Sequence, residues 1–252
     1  MPGDEADDAH LSRIETLWSV VAQAHRRDES AFAGAQRQLL DRYGGAVRRY
    51  ATAVLRDSDA ADEVFQEFAL KFVRGDFGRA TPEKGRFRSF LKSALYHLIV
   101  DFQRRKNRQA KHAPLLSHQA EQLDAAQPDD DAAFVASWRD ELLSRVWGAI
   151  ADYEARTGKA FHTVLRVRVA HPAVRSPELA ELVAAELNKP MTAGAVRVLL
   201  HRAREQFGEL LLDEVAQSLD NADPDQLQEE LIELDLWQYC REIVERRRQT
   251  AD

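Results

Sequence analysis

The chain has 252 residues, room for one large domain or two modest ones, and its 44% hydrophobic content fills a core and excludes wholesale disorder. The formal net charge of -7 weighs against tight DNA binding by the surface as a whole. A single cysteine, Cys240, excludes an internal disulfide and a cysteine-based zinc site.

Glycine (11) and proline (8) are scarce while Ala, Leu, Glu and Arg are plentiful, a mix that favours helix. The acidic start, Met1 to Asp8, lacks the apolar segment of a signal peptide. No apolar run approaches the roughly 20 residues that span a bilayer. A cytoplasmic protein without membrane insertion is therefore expected.

Ile14, Leu17, Trp18 and Val21 recur at helical spacing and predict a first amphipathic helix. Phe32, Leu39, Leu40, Tyr43, Val47, Tyr50 and Leu55 predict a second, which Gly44-Gly45 bends or interrupts. Asp57-Ser58-Asp59 offers N-caps to a third helix patterned by Val64, Phe65, Phe68, Leu70 and Phe72. Gly75 to Gly85 is a predicted loop. Helix resumes near Arg86 and runs past Phe102 into Arg104-Arg105-Lys106.

Gln119 to Asp131 carries five acids, no Lys or Arg, and Pro128, and reads as a solvated acidic linker. Trp138, Leu142, Leu143, Val146, Trp147 and Ile150 restart the helical spacing. Thr163 to Val169 nearly alternates apolar and polar residues, which also suits a strand; helix is expected because a lone strand has nothing to pair with. Ser176-Pro177-Glu178 opens a helix to about Leu187. Asn188 to Thr192 breaks it, and another helix runs from near Ala193 to about Glu214. Asp223-Pro224 opens one last acidic helix, through Trp237 to Arg246-Arg247-Arg248.

Three constellations carry chemistry. Lys84 to Lys111 holds nine cations against one acid, Asp101, with Phe87, Phe90, Tyr96 and Phe102 interleaved. Cations attract phosphate and release counterions, and aromatic faces stack on bases that have left the duplex. The same aromatics also suit a core stripe with Leu91, Leu95 and Leu98. In Ser176 to Phe207, two short helices flank a turn, and the second carries Arg197, His201, Arg202 and Arg204. This is helix-turn-helix patterning, shared in outline by any pair of packed helices. In Asp59 to Phe68, four acids and Gln66 share a helix with large apolar residues. That serves either as a dipole-complementing first turn or as a protein-docking face. Catalytic motifs are missing: there is no HExxH, GxGxxG or GxxxxGK, and His162 and His171 have no ligand-spaced partner. No enzyme activity, cofactor or metal is expected.

Taken together, these residues resemble the sigma-70 superfamily, and most closely its compact extracytoplasmic-function (ECF) type, which retains mainly regions 2 and 4. Asp59-Ala60-Ala61-Asp62-Glu63-Val64-Phe65-Gln66-Glu67-Phe68 is similar to the family's DAEDxxQExF run. Phe87-Arg88-Ser89-Phe90-Leu91 is similar to FRxWL, with Phe90 in place of tryptophan. Val196-Arg197 and Leu200-His201-Arg202-Ala203-Arg204 are similar to TVKSRLHRAR of region 4, although Ala195, Val198 and Leu199 depart from it.

The resemblance implies an all-α chain: a region 2-like domain at residues 1–112, an acidic linker at 113–133, a region 4-like helix-turn-helix domain at 134–215 and a C-terminal helical extension at 216–252. It implies a sigma factor that directs RNA polymerase core to promoters. Asp62, Glu63, Phe65, Gln66 and Glu67 would dock on the clamp helices of the β′ subunit, and the β flap would hold the second domain. Arg86, Phe87, Arg88, Phe90, Lys92, Arg104, Arg105 and Lys106 would contact the -10 element. Arg197, His201, Arg202 and Arg204 would read the -35 element. An anti-sigma regulator is a further implied partner. The alternatives are an autonomous helix-turn-helix regulator, a helical protein that docks on polymerase without initiating, and a helical interaction protein with no DNA role. The extension either packs on the second domain or shields its basic face.

Overall fold

The computed structural model describes residues 29–74, 76, 86–112, 129–219 and 223–251. The expected helix at Ile14–Val21, nearly all of the Gly75–Gly85 loop and residues 119–128 of the acidic segment lie outside them. The described residues form nine helices and no strand, so the fold class is all-α as the composition implies. They are α1 (Glu29–Leu55), α2 (Ser58–Arg74), α3 (Phe87–His112), α4 (Asp129–Thr157), α5 (Phe161–Ala170), α6 (Ser176–Leu187), α7 (Ala193–Ala216), α8 (Pro224–Glu233) and α9 (Trp237–Ala251).

The described residues fall into two compact units, one reaching as far as Glu141, the other made of Leu142–Ala216 and the residues from Asp223 onward. The division falls inside α4. That helix begins at Asp129, and its residues up to Glu141 belong to the first unit.

In the first unit α1, α2 and α3 pack on one another. Their inward stripes are Tyr43, Val47 and Tyr50 from α1, Val64, Phe68 and Phe72 from α2, and Phe87, Leu91, Leu95, Leu98 and Phe102 from α3, all buried. The start of α4 completes this core. Trp138 is wholly buried and stacks on Tyr43, ring centroids 4.7 Å apart, while Phe134 meets Tyr50 edge-on at 5.2 Å. Arg49 closes the seam from outside with an ion pair to Glu141 at 2.5 Å. Gly44-Gly45 does not interrupt α1, because packing outweighs the roughly 1 kcal/mol each glycine costs in a helix. A Cβ on Gly44 would meet the Phe65 ring at 3.2 Å, so the missing side chain lets α2 lie close.

The second unit is built on α7, against which α5, α6, α8 and α9 all pack. Its main core joins Ile150 of α4, Phe161, Val164 and Val167 of α5, Leu179 and Val183 of α6, and Val196, Leu200 and Ala203 of α7. The ambiguous Thr163–Val169 stretch is helical. Glu154 caps its start, accepting from the Thr163 backbone N–H at 2.9 Å and its hydroxyl at 2.6 Å, and burial of Val164, Leu165 and Val167 outweighs their β preference. The single acidic helix expected after Asp223 is two helices. Leu234 and Leu236 are both wholly buried, and two residues that far apart cannot both face inward on one helix. The chain turns there, with Asp235 at φ +56°.

Candidate nucleic-acid interface

The region before α3 lies outside the described residues, and α3 itself sorts the expected DNA contacts by its phase. Phe87 falls on the inward stripe and is 3% exposed, packed on Tyr43 at 5.7 Å and Trp138 at 6.3 Å. Arg88 is 8% exposed. Both side chains are therefore buried within the unit. Phe90 is half-buried and open on one side. It lines a groove of about 280 Å³ between α2 and α3 with Lys71, Ser93, Ala94, His97, Leu98 and Asp101. His97 and Tyr96, set edge to face at 5.6 Å, are exposed beside it. His97 is not among the residues that the sequence singled out. Its spacing from Phe90, Ser93 and Asp101 on one helix was the available signal.

Several expected phosphate contacts are engaged within the unit. Lys106 Nζ reaches Asp57 at 3.3 Å, Arg105 pairs with Glu67, Lys92 pairs with Asp131, and Arg104 lies 3.9 Å from Asp101. Arg104, Arg105, Lys106 and Arg108 are nonetheless exposed along the C-terminal half of α3, and Arg86 is half-buried just before its start. These ties are electrostatically definite. Asp57 caps α2, accepting from the backbone N–H groups of Asp59 at 3.0 Å and Ala60 at 3.1 Å. The Ala60 hydrogen bond first, then Lys106, holds its carboxyl below the ordinary carboxylate value. The Arg105 hydrogen bond does the same for Glu67, and Glu67 raises the Arg105 guanidinium in return.

On α2, burial of Val64, Phe68 and Phe72 turns Asp59, Asp62, Glu63 and Gln66 outward, all exposed. Asp62 pairs with Arg48 at 3.0 Å, and the same guanidinium sits 4.5 Å from the centroid of the half-buried Phe65 ring. Glu67 lies at the edge of the stripe, half-buried and turned toward Arg105 and Lys71. Leu70, one turn beyond Gln66, is 48% exposed, although the sequence grouped it with the apolar pattern of this helix. Its position out of phase with Val64, Phe68 and Phe72 was the legible sign.

In the second unit α6 and α7 form a helix-turn-helix on α5. Asn188 ends α6 in the left-handed conformation at φ +49°, doing in this turn what glycine commonly does. Thr192 opens α7, its hydroxyl accepting from the Ala195 N–H at 3.1 Å. One Arg168 nitrogen donates to the carbonyls of His171, Pro172 and Val174 at 3.0–3.2 Å and fixes the loop that feeds α6. Burial of Val196, Leu200 and Ala203 leaves Arg197, Val198, His201, Arg202 and Arg204 exposed on the opposite face of α7. The four expected base- and phosphate-contacting residues are thus brought together on one outward surface.

The extension packs on the C-terminal half of α7, against the alternative that it covers the basic face. Gly208 admits it: a Cβ there would meet the Tyr239 carbonyl oxygen at 2.9 Å and clash with Ile243. Cys240 is buried in the same seam, its Sγ 3.8 Å from the Gly208 carbonyl, and burial pushes its thiol up to about 12. His162 meets the Trp147 ring edge to face at 5.8 Å. Among the described residues no group of three or more His, Cys, Asp or Glu side chains is placed to hold a metal ion, and no helix is long and apolar enough to cross a membrane.

Residues 39–109, which run from α1 through most of α3, match the family described as sigma-70 region 2. No curated protein and no solved structure matches the chain.

Proposed function

We propose that this chain, a sigma-70 family protein through region 2 at residues 39–109, recruits RNA polymerase core to promoters with its first unit and reads upstream duplex with its second. The region 2 match supports a sigma factor's role in promoter recognition and transcription initiation, with polymerase core and promoter DNA as partners. The observation that carries the finer reading is the coincidence of that segment with α1–α3, whose middle helix turns Asp62, Glu63, Gln66 and the apolar Leu70 outward.

That stripe would dock on the β′ clamp helices. An acidic rim around one exposed leucine suits a basic, partly apolar partner surface. The -10 element would lie along α3, its phosphates on Arg104, Arg105, Lys106 and Arg108, with an unstacked base against Phe90 and His97 in the groove. Unstacking a base costs a few kcal/mol, and stacking of about 1–3 kcal/mol per base offsets most of it. The exposed face of α7 would enter the major groove at the -35 element, Arg197 and Arg202 reaching guanine edges or phosphates. The β flap would hold the second unit, and an anti-sigma regulator would act by covering one of these faces. The factor would work in the cytoplasm, beside the polymerase.

The ECF type suits the two helical units, and the net charge of -7 would weaken DNA binding by the chain without the polymerase. The α6–α7 geometry also favours a second reading, an autonomous helix-turn-helix regulator. Association of the full chain with purified core polymerase separates the two. A sigma factor co-elutes with core and binds duplex with it; the regulator binds duplex alone and leaves core untouched.

A further inference from the structure

The charges of the C-terminal α8–α9 hairpin are arranged with respect to α7. Along the exposed face of α7, Arg197, His201 and Glu205 follow at four-residue spacing and form one stripe. Glu205 is the discordant member: a carboxylate in line with cations on a surface proposed to meet phosphate. Left to itself it would repel the DNA backbone and draw on His201, whose Nε2 lies 3.8 Å from Glu205 Oε2. The other carboxylate oxygen, Oε1, accepts from Arg246 of α9 at 3.0 Å. One turn on, Arg247 pairs with Glu209. The hairpin that brings these arginines is firmly seated, with Leu227, Leu231, Leu234, Leu236, Cys240 and Ile243 buried.

We infer that the α8–α9 hairpin completes the DNA-facing surface of α7: Arg246 and Arg247 neutralise Glu205 and Glu209, carrying the cationic stripe past Arg204 and leaving His201 for the duplex. This rests on the reading of α7 as the duplex-contacting helix. Arg246 acts through Glu205 and is a positioning residue. The surface it completes faces the phosphate backbone, so its effect is independent of sequence and sensitive to salt.

The pair Arg246–Glu205 is exposed enough that losing it leaves stability nearly unchanged, which separates binding from folding. The test uses core polymerase loaded with the full chain and duplexes that the wild-type holoenzyme selects from a random-sequence pool. Arg246→Ala should weaken binding about 3–10-fold, most strongly at low salt, where repulsion by the uncovered Glu205 is least screened. Arg246→Lys should restore the affinity to within about twofold, and so should the double variant Glu205→Gln with Arg246→Ala, since the carboxylate is then gone. The unfolding midpoint of the free chain should stay the same throughout. Unchanged affinity in Arg246→Ala overturns the inference. So does a loss that persists in the double variant and follows a lowered midpoint, because the hairpin is then only a brace. If the wild-type holoenzyme selects no duplex, the reading of α7 itself fails and takes the inference with it.

Discussion

Replacing Gly208 by alanine sets two effects of opposite sign against each other. Gly208 lies in the interior of α7, where Gly→Ala normally stabilises by about 0.8–1.0 kcal/mol. Here the new Cβ would meet Ile243, whose side chain can rotate, and the Tyr239 carbonyl oxygen at 2.9 Å, which cannot move without shifting α9. Overpacking of this kind costs about 1–3 kcal/mol, so a net loss of about 1–2 kcal/mol is expected. Gly148 supplies the control in the same unit. It is exposed within α4, and a Cβ there meets nothing within 4 Å among the described residues, so Gly148→Ala should gain about 0.5–1 kcal/mol. Urea unfolding of the full chain, followed by circular dichroism with a separate transition fitted for each unit, reads both changes. A gain in Gly208→Ala equal to that in Gly148→Ala would show that α9 does not rest on α7.

Leu70→Asp should lower affinity for core polymerase about 10-fold, from the lost apolar contact and the added charge, with the unfolding midpoint unchanged; titration of labelled chain with core reads it, and full affinity would place docking elsewhere. Trp138→Ala should destabilise the first unit by about 3–5 kcal/mol, the range for deleting a wholly buried aromatic. A loss under about 1 kcal/mol in urea unfolding would mean that the start of α4 does not complete that core. Because the Glu67 carboxyl is held below its ordinary value of 4.5, the Arg105 tie contributes stability above that pH and loses it as pH falls through the lowered folded-state value. Glu67→Gln should therefore flatten the acid limb of first-unit stability by less than about 1 kcal/mol, and parallel acid limbs in the two proteins would contradict the assignment.

Much of this was legible from residue spacing, and where it was not the reason is specific. The phase of Val64, Phe68 and Phe72 marks the inner face of α2, and Val196, Leu200 and Ala203 do the same for α7, so the outward residues follow. The first turn of α3 was harder. Phe87 and Arg88 are an aromatic and a cation in a basic segment, which is also the composition of a base-contacting surface; Phe87 is in phase with Leu91 and Leu95, and the rings of Tyr43 and Trp138, distant in sequence, decide that it faces inward. The same long-range packing hid the start of α4. Asp129 to Asp131 continue an acidic run, and nothing local signals that Phe134 and Trp138 belong with Tyr50 and Tyr43. The break between α8 and α9 was readable in principle from Leu234 and Leu236, two residues apart and both too apolar to expose. The Arg246–Glu205 pairing joins residues 41 positions apart, and no periodicity within either helix reveals it.

Run-off transcription with purified core polymerase on genomic fragments, with and without the full chain, tests the central claim most directly. Discrete transcripts that appear only with the chain, and that are lost with Leu70→Asp, are the predicted result. A chain that binds those fragments unaided while core produces the same transcripts in its presence and absence would contradict it.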